Sequence, residues 1–178
     1  MATDKDLAKP AATAGTAGTE GSGETGRVIA EFEYALIIAH LAFERWALNC
    51  LAAAGETGLT LTDSLVLHAV HHRARSTRLT DIAFVLNVDD DHVISYSLRK
   101  LEKAGILKSL KQGKEKFYST TEKGADLIAR YRQNQRAYLL SALEHFPGSL
   151  GEVETLSETM RAMSGFYDQA ARRAATLL

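Results

Sequence analysis

Between Thr80 and Thr121 the chain reads as a helix, a tight turn, a second helix, and two short strands around a small basic turn. Few folds accommodate that succession. A compact helix-turn-helix followed by a β-hairpin wing places its second helix in the major groove of DNA, and the residues at the turn fit it. Thr80 has a hydroxyl able to accept an orphan amide, which makes it the expected N-cap of the first helix. Ala83 is small where two helices approach closely. Asn87, four residues on, tolerates the left-handed conformation that ends a helix, and Val93 falls where the second helix returns an apolar side chain to the first.

At about 100° per residue, the second helix separates into two faces. Val93, Ile94, Ser97, Leu98 and Leu101 share the side expected to pack inward. His92, Ser95, Tyr96, Arg99 and Lys103 gather opposite, and these side chains suit base edges and phosphates. An ordinary solvated helix face is the plainer reading of the same residues. Gly105 is the expected left-handed cap. The hairpin that follows runs from Ile106 to Lys111, turns at Gln112-Gly113-Lys114-Glu115, and returns from Lys116 to Thr120. Lys111, Lys114 and Lys116 cluster at its tip, either as phosphate contacts or as lysines that protect a sheet edge from aggregation. Three acids, Asp89, Asp90 and Asp91, open the second helix. They favour its macrodipole, with Asp89 the expected cap, but against DNA the same charges repel phosphate.

Leu101-Glu102-Lys103-Ala104-Gly105-Ile106-Leu107, with Thr121-Glu122-Lys123-Gly124 beyond the wing, resembles the MarR family of winged-helix regulators. The resemblance covers roughly residues 59–146 and extends to the helical layout from Arg27 onward; the wing lacks the Asp-x-Arg element that many members carry. It implies a homodimer that binds a pseudo-palindromic double-stranded DNA site, and a small-molecule effector bound between the dimer helices and the reading heads.

The fold class expected is mainly α with a small β-hairpin wing. A winged helix-turn-helix domain spans 57–123, flanked by dimerisation helices at 27–56 and 124–178. Residues 1–26 are rich in Ala, Thr, Gly, Glu and Ser, and read as a disordered tail. In the first long helix, Phe32, Leu36, Ala39, Phe43, Trp46 and Cys50 recur at alternating steps of four and three, the seam of a coiled packing. Val153, Leu156, Met160, Met163, Tyr167, Ala170, Ala174 and Leu177 keep the same rhythm near the other end, after a Ser149/Glu152 capping box. One small winged domain cannot cover both stripes, which favours intertwined helices from two chains over a monomeric core. The helix between them is expected to run from Thr121 to Phe146.

Charge is unevenly spread. Residues 71–123 hold eleven Lys and Arg against seven Asp and Glu, while residues 1–70 hold four against nine. A basic middle in a near-neutral chain suits a DNA-facing module. No uninterrupted apolar run reaches the ~18 residues of a membrane span, the N-terminus shows no signal-sequence pattern, and a lone cysteine suits a reducing cytoplasm. His68, His71 and His72 have helical spacing, but no cysteine or carboxylate completes a metal site and Arg73 and Arg75 would repel a cation, so no metal or cofactor is expected. His40 and Glu44, one turn apart beside Phe43 and Trp46, mark either a ligand pocket or a satisfied interface pair. Cys50 has no basic neighbour in sequence and reads as an inert buried thiol. Glycine-rich phosphate loops and nucleophile elbows are absent, so the chain does not read as an enzyme. The competing reading is a protein-interaction module on the same fold, with residues 89–91 abolishing DNA affinity.

Overall fold

The computed structural model describes residues 17–72 and 76–177. The chain forms a mainly helical winged helix-turn-helix, as its sequence leads one to expect. A long helix α1 (Ala17–Ala53) leads into α2 (Leu61–His72), a two-residue strand β1 (Thr77–Arg78), α3 (Leu79–Leu86) and α4 (Asp91–Lys103). The wing is β2 (Leu107–Gln112) and β3 (Glu115–Thr120), followed by α5 (Glu122–Asn134), a π-helical segment Gln135–Leu140, α6 (Ser141–Leu143) and α7 (Leu150–Ala175). The sheet is antiparallel in the order β1-β3-β2, with Thr77 opposite Tyr118 and Leu107 opposite Thr120.

One apolar core unites these elements. Leu51 and Ala54 of α1, Val66, Leu67 and Val70 of α2, and Ile82 of α3 meet Ile94, Leu98 and Leu101 of α4. Ile106, Leu107 and Tyr118 close it from the wing, and Leu127, Ile128 and Tyr131 from α5. Burying each large side chain contributes roughly 1.5–3 kcal/mol, so this shared core holds the end of α1, α2–α5 and the wing together. The terminal helices differ: α7 has no buried residue, and α1 is buried only in its last turns, from Ala47.

Several boundaries depart from expectation. The N-cap of α3 is Arg78 rather than Thr80, because the chain enters the helix directly from β1 and Asp81 accepts from the Arg78 amide. The cap of α4 is Asp90 rather than Asp89; its Oδ1 accepts from the His92 amide at 2.8 Å. Val93 is exposed instead of packing inward, because it lies at the edge of the buried arc. The helix expected from Thr121 to Phe146 is interrupted by the π segment, in which i→i+5 bonding replaces the α register. Of the tail read as disordered, residues 1–16 lie outside the described residues, whereas α1 already begins at Ala17. Arg73 and Arg75 also lie outside them. Although no uninterrupted apolar run is long enough, Gly23–Ala53 contains an 18-residue window whose mean hydropathy (1.3) and length would allow it to cross a membrane. Charges such as Glu44 and Arg45 interrupt the apolar run there, and Glu31 and Glu33 precede it. The last turns of this helix pack into the domain core.

Other local signals hold. Asn87 ends α3 in the left-handed region (φ 52°), and Gly105 does so after α4 (φ 71°). Gly113 takes φ 63° at the first central position of the two-residue wing turn, a place that type II′ hairpins reserve for glycine. Ser149 and Glu152 form the capping box of α7.

Candidate nucleic-acid interface

α4 is fixed from below by Ile94, Leu98 and Leu101, which are fully buried. That anchoring turns His92, Tyr96, Arg99 and Lys103 outward, with Tyr96 65% exposed. Ser95 is only half-buried at the margin of this face. Two grooves flank the helix. One, of about 470 Å3, is lined by Tyr96, Arg99, Lys100 and Lys103. The other, of about 390 Å3, lies between α4 and the start of α2, where His92, Val93, Tyr96 and Ser97 face Thr60, Thr62 and Asp63.

The wing contributes fewer cations than the sequence suggests. Lys111 is exposed and Lys114 sits in the turn. Lys116, directly across the hairpin from Lys111, is drawn back toward the domain instead of joining the tip. Its Nζ donates to Glu102 Oε2 at 2.8 Å and lies 5.0 Å from the Tyr118 ring centre. The hydrogen bond to Glu102 pushes the Lys116 ammonium pKa up. For Glu102, burial alone would raise the carboxyl, but the bonds from Lys116 and Ser109 reverse this and hold it low. The contact joins the wing to α4. Among the described residues, Arg99, Lys103, Lys111 and Lys114 form no ion pair, so their charges face solvent uncompensated.

Two structural groups escape the sequence reading. Arg78 donates to Asp81 through Nε at 3.1 Å and through NH2 at 3.2 Å, and to Glu115 through NH1 at 2.9 Å. It thereby ties the wing to the first helix of the helix-turn-helix. Asp63, 1% exposed on α2, is the other. Its Oδ1 accepts from Ser97, and its Oδ2 accepts from Lys100 Nζ at 2.6 Å and from the Thr60 amide at 2.8 Å. Burial by itself raises this carboxyl; the bonds from Lys100, Ser97 and Thr60 more than offset it and leave the pKa lowered. Thr60-x-x-Asp63 has the spacing of a reciprocal helix cap, and Thr60 Oγ1 accepts from the Asp63 amide. That spacing was legible, but the partners on α4 were not.

The remaining candidates separate. His40 is exposed, Phe43 is half-exposed, Glu44 is half-buried, and Trp46 packs against the core. A cavity of about 190 Å3 does open on α1, but one to two turns before His40 and against α7. Phe32, Leu36, Met160, Met163, Ser164 and Tyr167 line it, and none of the four expected residues does. Tyr167 there donates to Glu33 at 3.1 Å, and the adjacent Asp168 accepts from Asn87 at 3.0 Å, linking α7 to the helix-turn-helix. His68 meets the Tyr131 ring edge-on at 5.0 Å. Burial, aided by Arg132, lowers the pKa of both His68 and His71, and among the described residues no group of three metal-ligating side chains converges. Cys50 is buried with its Sγ 3.4 Å from the Tyr131 carbonyl, and burial pushes its thiol up.

A family model described as a winged helix DNA-binding domain matches residues 59–124. No curated protein matches the chain. Solved structures do. MarR from Staphylococcus aureus in complex with salicylate and kanamycin superposes with a TM-score of 0.66 at 13% identity, covering 81% of this chain and 95% of that one. A mutant MarR from E. coli complexed with operator DNA gives 0.62 at 17% identity, covering 76% and 94%. CouR from Rhodococcus jostii RHA1 bound to p-coumaroyl-CoA gives 0.61 at 17% identity, covering 74% and 90%. The chain has a MarR-like fold. The core that holds the matched segment together also draws in Leu51 and Ala54 at the end of α1 and Leu127, Ile128 and Tyr131 of α5, beyond the residues matched.

Proposed function

We propose that this MarR-like protein is a sequence-specific regulator of transcription that binds double-stranded DNA as a homodimer, recognises a pseudo-palindromic element and represses. The observation that carries this reading is the outward face of α4, where His92, Tyr96, Arg99 and Lys103 stand together beside the solvent-facing Lys111 and Lys114 of the wing. Arg suits the paired acceptors of guanine, and lysine the phosphate backbone. Of the acids at 89–91, Asp90 serves as the cap of α4 and Asp91 lies in its first turn, a structural use that is compatible with DNA binding.

Dimerisation is supported by what one chain leaves uncovered. Ile37, Leu41 and Phe43 on α1 and Leu150, Val153 and Leu156 on α7 are exposed, and apolar stripes of that extent mark an interface. A second copy aims a second α4 at the next turn of the duplex. The cavity between α1 and α7 suits a small, largely apolar effector, since its lining is apolar apart from the Ser164 and Tyr167 hydroxyls. Such a regulator works in the cytoplasm, on DNA.

A salt titration with duplex DNA tests the reading. Affinity is expected to fall steeply as salt rises, and further in the Arg99→Ala/Lys114→Ala double variant. Absence of binding at any salt would favour a protein-interaction role for the same fold, and unchanged affinity in the double variant would remove α4 and the wing from the interface.

A further inference from the structure

Lys100 occupies the boundary between the two faces of α4. Its stem lines the outward groove with Tyr96, Arg99 and Lys103, and its side chain is 30% exposed. A lysine at such a boundary can direct its ammonium either way, because four methylenes separate the charge from the backbone. The nearby cations Arg99 and Lys103 belong to the DNA-facing surface, so position alone would add Lys100 to it. Instead Nζ turns inward to Asp63 Oδ2 at 2.6 Å. Other bonds hold Asp63 in place to receive it. The Thr60 amide donates to the same oxygen at 2.8 Å, and Ser97, one turn before Lys100, donates to the other. The carboxylate is therefore addressed by two residues of the recognition helix and by the cap of its own helix.

We propose that Asp63 is a positioning residue for DNA recognition that withholds the charge of Lys100 from the phosphate backbone. It limits affinity for arbitrary sequence while fixing the rotation of α4 against α2. The inference rests on the DNA-binding reading and concerns how the surface discriminates. Nonspecific affinity grows with the number of phosphates neutralised, so one cation diverted inward leaves base contacts a larger share of the total.

The test is fluorescence anisotropy of the full-length protein on a labelled duplex of arbitrary sequence, titrated with potassium chloride. In Asp63→Asn the amide still fills the site, but the ammonium is released. The slope of log K against log salt is expected to steepen by about 0.9, the increment for one more phosphate, with tighter binding at low salt. Lys100→Gln is expected to keep the wild-type slope, and the double variant to return to it. A purely structural role for Asp63 would weaken binding and would not steepen the slope. A folded Asp63→Asn variant with unchanged slope overturns the proposal, as does a Lys100→Gln slope shallower by about one. If Asp63→Asn does not melt cooperatively, Lys100→Gln decides alone. Failure of the wild type to bind any duplex would refute the DNA-binding reading itself, and the proposal with it.

Discussion

Protonating Asp63 removes the acceptor that holds Lys100 and Ser97 on α2, so this residue links stability to pH. Its folded-state pKa is lowered, and a depressed carboxyl contributes stability that is complete above its unfolded pKa and lost as the pH falls through the folded value. The stability difference between wild type and Asp63→Asn is therefore expected to be largest near neutrality and to shrink in acid. Urea melts across the acid range check this; a difference independent of pH would contradict it. Gly124 illustrates a steric requirement. A Cβ there would run into the Ile106 carbonyl, where Thr121 folds α5 back against the wing, its amide donating to Ile106 at 3.0 Å. Gly124→Ala is expected to destabilise by roughly 1–3 kcal/mol, the usual range for overpacking, read as a lowered midpoint in the same melts. The sequence exposed this glycine as part of a motif. It did not expose the Asp63 contacts, because Ser97 and Lys100 lie 34 and 37 positions away and no local pattern joins them.

At the scale of elements, the proposed function divides the work of recognition between α4 and the wing. Arg99 lies on the outward face of α4, the face that the proposed function sets against base edges. Arg99→Ala is expected to reduce discrimination between a selected site and arbitrary sequence by about 1–3 kcal/mol. Lys114 lies in the wing turn, so Lys114→Ala is expected to weaken binding to both and to reduce the salt slope by about one. Competition assays on the two duplexes distinguish these outcomes. The identity of these elements was readable because their apolar periodicity and turn glycines are local. Their edges were less so. β1 has only two residues and exists because β3 offers it partners, and it moves the start of α3 back to Leu79. Lys116 reads as a tip residue until the fold brings Glu102 beside it. The π segment carries no distinguishing composition and interrupts a helix that the sequence presents as continuous.

Taken whole, the molecule joins one apolar core, which only the last turns of α1 enter, to exposed apolar stripes on α1 and α7. This was visible in sequence as two apolar stripes too extensive for a single winged domain, while the cavity formed where α1 meets α7 depends on their relative placement. The stripes predict a melting temperature that rises with protein concentration, because association stabilises the folded state by mass action; a concentration-independent midpoint with a monomeric mass in sedimentation would contradict dimerisation. The bonds from Tyr167 to Glu33 and from Asn87 to Asp168 make α7 the bridge between α1 and the helix-turn-helix. The central claim is that paired copies aim two α4 helices at one duplex. Hydroxyl-radical footprinting of the purified protein on a site selected from random DNA tests it most directly. Two symmetric protected patches about 10 base pairs apart are expected, the spacing of one helical turn; a single patch, or no protection on any selected sequence, would contradict it.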